Sequence, residues 1–336
     1  MLRFTVRRLA QLIGVVVVLS LLLFVWLRGL PGGPDSALCG DRCSPQQRIQ
    51  LRSELGLDQP VTTQYLSFMG RVLRGDFGAS TGVQQGASAS EIFLTRFPAT
   101  VELSVFAIVV AVALGVPLGY LAAQRRGTFL DNGGVVFSLI GLAVPVFFLA
   151  FLLKYIFAVK LGWLPASGRQ SVDINATQVT GFATLDGLLT GEYDATLDAL
   201  KHLLMPGLTL ATIPFAVVFR ITRAAVLGVL DEDYVRTAEA KGLLARTIRG
   251  RHVLRNALLP VVTTIGLQVG ALLAGAVLTE KVFAFRGLGD ALALAFESRD
   301  YAVLQVLILA AAIVYVVVNL MVDLSYAVID PRVRTR

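Results

Sequence analysis

Six apolar stretches constrain the fold of this chain more than any other feature. Each approaches the roughly 20 helical residues that cross about 30 Å of hydrocarbon. They cover residues 9–27, 100–123, 133–153, 203–219, 257–279 and 301–322. Only 16% of the 336 residues are charged, against about 25% in soluble domains. The sequence therefore predicts an all-α membrane protein with six transmembrane helices and excludes a water-soluble enzyme.

The first stretch has one property of a secretory signal, because Arg3, Arg7 and Arg8 precede it. It is, however, longer than the apolar core of about 7–15 residues that signal peptides carry. The bulky Leu38 also stands where cleavage before Cys39 would need a small residue. We therefore interpret residues 9–27 as an uncleaved first transmembrane helix.

The distribution of basic residues indicates the orientation. If the N-terminus is cytoplasmic, the cytoplasmic segments hold 16 Lys and Arg against 6 Asp and Glu. The outer segments then hold 14 basic and 15 acidic residues, with Glu102 and Asp323 assigned to the spans. Because basic residues accumulate on the cytoplasmic side, the sequence predicts that both termini are cytoplasmic. The net charge of +7 is thus explained without a nucleic-acid partner.

These assignments divide the chain into three parts. Residues 1–97 form the first helix and an extracytoplasmic segment, in which 45–55 and 60–73 are predicted amphipathic helices. Residues 98–328 form a core of five transmembrane helices that includes a cytoplasmic loop, 231–256. Residues 329–336 form a cytoplasmic tail.

The two cysteines, Cys39 and Cys43, fall on the predicted outer side. In an oxidising compartment they could close a small disulfide loop, and the alternative is a pair of free thiols near the membrane surface. A metal site needs three or four ligands, and the only histidines are His202 and His252. We therefore predict no metal site.

The loop 231–256 reads DEDYVRTAEAKGLLARTIRGRHVLRN. Acidic residues precede the segment, Lys241 closes it and Gly242 follows, which matches the helix dipole and a left-handed C-terminal cap. The pattern predicts a short helix, a turn at Gly242 and a second, basic helix that returns to the membrane at Pro260.

A solvated basic loop is the alternative interpretation of this segment, because basic inner loops are common. Two features favour a docking element instead. The small side chains of Ala238 and Ala240 on an exposed helix would let the backbone of another protein approach closely. An ordered glycine turn is also unnecessary in a simple linker.

Two motifs in this loop, YVRTAEAKGL and RHVLRNALLP, resemble the coupling motif of the membrane subunits of binding-protein-dependent ABC importers. The separation of 18 residues between Gly242 and Pro260 is similar to the long form of the dipeptide and oligopeptide permease family. The resemblance spans almost the whole chain through LGLDQPVTTQYLSF, LRGDFGAS, PATVELSVFA, HLLMPGLTLA, TEKVFAFRGLGDALALAFESRDY and VDLSYAVIDPRVR. The CGDRC segment and Glu239 depart from the family pattern.

The resemblance implies a type I ABC importer permease fold with defined partners. These are a homologous permease subunit, two cytoplasmic ATPase domains, an extracytoplasmic substrate-binding protein and the lipid bilayer. The implied cargo is a di- or oligopeptide, with nickel, a haem-like compound or glutathione as alternatives. The implied coupling helix comprises Tyr234, Val235, Arg236, Thr237, Ala238, Glu239, Ala240, Lys241, Gly242 and Leu243, and the return to the membrane carries Arg255, Asn256 and Pro260.

The chain lacks the phosphate-binding pattern GxxxxGK[ST]. We therefore predict that it is not an enzyme and holds no cofactor, and that partner subunits bind ATP and Mg²⁺. A self-contained secondary transporter or channel would show more charges at mid-membrane depth and an inverted repeat. A membrane-embedded enzyme would need His, Cys or paired acids at the membrane face.

Five residues inside the apolar stretches stand out as candidates for the pathway or for helix packing. Glu102 could meet substrate or partner, but its position near the outer boundary favours simple solvation. Pro206 and Pro214 indicate either a flexible pathway helix or packing kinks. Asn319 and Asp323 have i, i+4 spacing, which favours a contact that fixes the last helix to its neighbour.

Overall fold

The computed structural model describes residues 2–29, 44–54, 56–174 and 176–329. The regular structure in this part of the chain is helical, apart from one isolated bridge between Ala79 and Ser88. The helices are α1 (Leu2–Gly29), α2 (Pro45–Glu54), α3 (Val61–Leu73), α4 (Ala89–Gln124), α5 (Phe129–Ala143), α6 (Val146–Leu153), α7 (Ala183–Thr190), α8 (Tyr193–Leu230), α9 (Asp233–Ala240), α10 (Ala245–Thr247), α11 (Arg255–Gly275), α12 (Val277–Phe283), α13 (Leu288–Glu297) and α14 (Tyr301–Ile329). Two π-helical segments, Lys154–Lys160 and Ile248–Leu254, follow α6 and α10.

Four helical stretches within these ranges are long and apolar enough to cross a membrane. They are Ala89–Gln124, Tyr193–Leu230, Ala245–Leu272 and Tyr301–Met321. The pair formed by α5 and the helix from Val146 to Lys160 would make a fifth if both halves count as one span. A shorter apolar helix, Ile13–Gly29, lies within α1. The all-helical membrane architecture predicted from composition is thus confirmed.

The third apolar stretch, 133–153, is not the single continuous helix that its composition suggested. Its two halves are bent by 101° at a short break. Val144, the residue before Pro145, has the extended conformation with ψ 123°, because a following proline disfavours the helical region. Pro145 also lacks the N–H that would continue the helical hydrogen bonds. The break therefore follows from local sterics.

The other helix boundaries in the structure differ less from those predicted from the sequence. Helices α2 and α3 lie where amphipathic helices were predicted, although Leu55 lies outside the described residues. The fifth stretch ends earlier than predicted, because Thr279 belongs to the separate helix α12. In that helix the buried Glu280 carboxylate accepts a hydrogen bond from the Thr100 hydroxyl at 2.6 Å.

The chain divides into two compact units by its internal contacts. The first comprises Met1–Pro98 with Arg286–Val317, and the second comprises Ala99–Phe285 with Val318–Arg336. The core of the first unit contains large side chains from α1, α3, α4 and α14. Among its buried members are Phe24, Phe68, Ile92, Leu304 and Leu307.

A buried aspartate organises the loop before α4 in the first unit. Asp300 Oδ2 accepts a hydrogen bond from Ser80 Oγ at 2.5 Å, and it also accepts the backbone N–H groups of Thr81, Gly82 and Val83 at 3.0 to 3.1 Å. Burial raises the pKa of Asp300, but these donors outweigh burial and hold the pKa below its ordinary value. The ionised carboxylate thus connects the 80–83 loop to the start of α14.

Helix α8 is the centre of the second unit, where α5, α6, α7, α11 and α12 all contact it. Helix α4 approaches it closely through small residues. A Cβ atom on Gly119 would lie 2.6 Å from the Phe219 carbonyl oxygen, and one on Gly207 would lie 2.2 Å from the Phe106 ring. Glycine therefore permits backbone and ring contacts that a larger residue would block.

We predict that Gly119→Ala lowers the thermal stability of the purified protein in detergent. The added methyl group must displace α4 from the backbone of α8, and such overpacking costs about 1–3 kcal/mol. Gly228→Ala on α8 is the matched control, because its Cβ would meet nothing within 4 Å. The melting midpoint, followed by size-exclusion chromatography after heating, should fall for the first variant only. Equal melting midpoints for Gly119→Ala and Gly228→Ala would contradict the close contact between α4 and α8.

Candidate functional site

The loop 231–256 contains an ordered helix followed by a glycine turn. Helix α9 begins after Glu232, has Asp233 in its first turn and ends at Ala240. Gly242 has φ +73°, in the left-handed region that glycine adopts without steric cost. Its N–H donates to the Glu239 carbonyl at 2.9 Å. The predicted short helix and glycine turn are therefore confirmed as local structure.

One face of α9 is buried within the chain. Val235 and Ala238, three residues apart, pack with Val226 of α8 and with Val253 and Ala257 of the returning helix. The expectation that Ala238 is exposed was wrong, since only 5% of it is accessible. Its helical spacing from Val235 places both residues on the face that anchors α9 to the membrane core.

The opposite face of α9 and the turn after it are exposed. Polar and small residues on this surface are Arg236, Thr237, Glu239, Ala240 and Lys241. Two leucines follow directly, and Leu244 is 76% exposed. The predicted coupling segment ended at Leu243 and did not include Leu244. Two consecutive leucines after a glycine in a basic loop could have indicated an exposed apolar surface. We call the exposed residues Tyr234, Arg236, Glu239, Ala240, Lys241, Leu243 and Leu244 the docking surface.

A hydrogen-bond link joins the start of α9 to the start of α11. Asn256 Nδ2 donates to the Tyr234 hydroxyl and to the His252 carbonyl, both at 2.9 Å. The basic return predicted after Gly242 is helical, through α10 and the π-helical segment. Arg255 begins α11, and Pro260 lies inside that helix rather than at its start.

An ion pair with a buried carboxylate joins the start of α5 to α8. The Arg223 guanidinium donates to both carboxylate oxygens of Asp131, with Nη2 to Oδ2 at 2.9 Å. The Gly127 N–H also donates to Asp131 Oδ2 at 2.9 Å. Sequence reasoning missed this pair, although a charge at the end of each of two apolar stretches requires a partner when buried.

Glu102 takes part in a second buried ion pair. Its exposed fraction is 8%, and its Oε2 accepts a hydrogen bond from Arg169 Nη2 at 2.8 Å. The backbone N–H and hydroxyl of Thr184 donate to Oε1 at 2.8 and 2.5 Å. The interpretation of Glu102 as a solvated residue was therefore wrong, because Arg169 and Thr184 contact the carboxylate and supply its hydrogen-bond partners.

Comparison with known proteins identifies the family. The family described as "Binding-protein-dependent transport system inner membrane component" matches residues 115–335, and its N-terminal companion matches residues 1–104. The chain belongs to the binding-protein-dependent transport system inner membrane components. The resemblance predicted from the motifs is thereby confirmed, as is a multi-pass location in the inner membrane.

Individual relatives align over nearly their full length. The di/tripeptide transport system permease protein DppB of Pseudomonas aeruginosa is 44% identical over 335 residues, which is 99% of each chain. The dipeptide transport system permease protein DppB of Escherichia coli K12 is 43% identical over 338 residues, again 99% of each chain. A probable D,D-dipeptide transport system permease protein of the same strain is 38% identical and covers 97% of this chain and 96% of its own.

The other candidate residues of this inner membrane component lie in several separate segments of the chain. Pro206 and Pro214 are buried in α8, which continues as one helix through both. Asn319 is half-buried in α14, and the side chain of Asp323 lies outside the described residues. Cys39 and Cys43 also lie outside them. Among the described side chains, no group of three or more His, Cys, Asp or Glu could hold a metal ion.

We predict that Ala238→Arg and Ala240→Arg differ in their effect on α9. The first substitution places a charge in the contact with Val226 and Val253, which costs more than about 2 kcal/mol. The second adds the same side chain to an exposed position. Limited trypsin digestion of the detergent-solubilised protein should cut the loop 231–256 several times faster in Ala238→Arg. Similar cleavage rates in the two variants would contradict the burial of Ala238.

Proposed function

We propose that this chain is the permease subunit of an ATP-driven ABC importer for di- or oligopeptides. The ordered docking surface, held against the membrane helices by Val235 and Ala238, is the observation that carries the proposal. The relatives named as dipeptide and di/tripeptide permeases support the class of cargo. The missing GxxxxGK[ST] pattern supports ATP hydrolysis by partner subunits, which would bind ATP and Mg²⁺ in place of this chain.

In the proposed topology, α1 and the bent pair after residue 128 complete a set of six spans. Both termini and the loop 231–256 are cytoplasmic, and residues 30–98 and 154–202 are extracytoplasmic. The basic excess on one side supports this orientation. Helix α8, with 38 residues, would be about 57 Å long and thus extends beyond the hydrocarbon core at its ends.

The proposed mechanism couples ATPase movement to the membrane helices through α9. A homologous permease completes the pathway, an extracytoplasmic binding protein delivers the peptide, and two ATPase domains receive the docking surface. Because Val235 and Ala238 pack on α8 and Tyr234 is linked to Asn256 of α11, a displaced α9 moves both helices. Such a rigid-body transition between two states is a known form of coupling.

Cysteine labelling tests the proposed topology. We predict that Val172→Cys reacts with a membrane-impermeant maleimide in intact spheroplasts, whereas Leu244→Cys reacts only after lysis. Both positions are highly exposed in this chain, at 90% and 76%. The chain is expressed without the ATPase subunits, which would cover Leu244 in the proposed complex, so accessibility of the side chain itself does not separate the two variants. Cys39 and Cys43 are replaced by serine in both variants. Labelling of Leu244→Cys in intact spheroplasts would overturn the orientation.

Loss of ATPase association tests the docking surface. We predict that Leu244→Arg weakens co-purification of the ATPase subunits about tenfold, the effect of losing about 1.4 kcal/mol at an apolar contact. Val172→Arg is the matched control, since it changes an exposed aliphatic residue to arginine on the opposite side of the proposed topology. The complex is purified through a tag on this chain, and ATP hydrolysis is measured with the peptide-loaded binding protein.

Two results would contradict the proposed function. Normal ATPase association by Leu244→Arg would remove the docking role of this surface. A wild-type chain that purifies alone and transports peptide without ATP would instead support a self-contained secondary transporter.

A further inference from the structure

A cavity of about 460 Å³ lies within the first unit, and its function is not explained by peptide transport. Its wall combines aromatic side chains with two guanidinium groups. The residues used below are Arg28, Arg71, Asp76, Phe77, Asp300 and Tyr301. All of them belong to the first unit, so the cavity is complete without the second.

The two guanidinium groups of the cavity make no ion pair with an acid in the part of the chain that the structure describes. Arg28 Nε and Nη2 donate to Gln64 Oε1 at 2.9 and 2.7 Å, and the guanidinium lies 3.6 Å from the Phe24 ring centroid. Both partners are neutral. Arg71 is exposed at the end of α3. Within the described residues, no carboxylate forms an ion pair with Arg28 or Arg71. Arg28 and Arg71 therefore line the cavity without a direct ion pair to a described carboxylate.

The acidic residues of the wall do not cancel this charge. Asp300 is buried and accepts hydrogen bonds from Ser80, from three backbone N–H groups of the 81–83 loop and from the Val303 N–H at 3.3 Å. Its negative charge is thus stabilised by the loop itself. Asp76 is exposed, and one of its oxygens accepts the Gly78 N–H at 3.1 Å. Asp76 is therefore the single acid that opposes the two guanidinium groups.

The position of the cavity relates it to the bilayer. Arg28 is in the last turn of the apolar helix Ile13–Gly29, whose exposed side chains include Leu22 and Val25. Helix α3, which carries Arg71, also exposes the apolar side chain of Leu66. Guanidinium groups at the end of an apolar helix lie at the level of lipid headgroups, where phosphates offer paired acceptor oxygens.

We propose that this cavity binds the phosphodiester headgroup of a phospholipid, with Arg28 and Arg71 on its oxygens and the aromatic wall next to the glycerol region. Arginine suits this role because its planar fork donates to two phosphate oxygens at once. The inference rests on the proposed placement of α1 in the membrane. The lipid in this cavity would belong to the leaflet that contains the C-terminal end of α1.

Native mass spectrometry of the full permease complex tests this site. The complex in detergent is titrated with phosphatidylethanolamine and, separately, with diacylglycerol of the same acyl chains. We expect retention of phosphatidylethanolamine and about tenfold weaker binding by Arg71→Gln, as expected when a charged hydrogen bond worth about 1.4 kcal/mol is lost. Arg74→Gln is the matched control, because Arg74 is exposed at the end of the same helix and does not line the cavity. Arg71→Gln is expected to fold, since Arg71 is exposed.

Three results would overturn the lipid site. The first is equal phosphatidylethanolamine binding by Arg71→Gln and the wild type. The second is equal retention of diacylglycerol, which would indicate acyl-chain contact alone. The third is displacement of the lipid by glycerophosphoethanolamine at equimolar concentration, which would indicate a site for soluble phosphate esters. ATP hydrolysis stimulated by the binding protein is measured on the same preparations, so failure of the lipid site and failure of the proposed importer are separate outcomes.

Discussion

Close packing against α8 is the constraint on which the second unit depends. Helices α5, α6, α7, α11 and α12 contact it in addition to α4, and hydrocarbon offers no hydrophobic effect between helices. Their association therefore depends on close packing and on satisfied polar groups. Gly119 and Gly207 show how near the contacts come, because a single methyl group at either position would overlap with an atom of the neighbouring helix.

Buried charges near the membrane also need defined contacts, namely a partner of opposite charge and hydrogen-bond donors. Asp131 and Glu102 are buried carboxylates, and each receives an arginine and at least one backbone N–H. An unpaired carboxylate in such a place would cost several kcal/mol. Both pairs connect a helix to another segment far along the chain. The first pair therefore holds the start of α5 to α8, and the second holds the segment around Arg169 to α4.

The sequence predicted the features that depend on local patterns. Apolar runs marked the helices, and acids before Lys241 with Gly242 after it marked the short helix and its turn. The bend at Val144 and Pro145 also depends on local sequence, but it was not predicted because residues 133–153 form one continuous apolar stretch. Charges beside apolar stretches indicate that a partner is needed, but nothing in the chain order shows that Arg223 meets Asp131 or that Arg169 meets Glu102. The burial of Ala238 depended in the same way on Val226, Val253 and Ala257 from other helices.

The burial of Ala238 determines how the loop 231–256 would transmit movement to the membrane helices in the proposed importer. A short helix with both faces exposed could rotate about the turn at its end without displacing the membrane helices. Helix α9 instead has an apolar face inserted between α8 and the returning helix, and its Tyr234 hydroxyl is held by Asn256. The exposed Leu244 lies beyond the glycine turn. In the proposed importer, the surface that would meet the ATPase is thus separate from the face of α9 that packs with α8. Movement of that surface would then act on α8, and through α8 on the helices that pack around it.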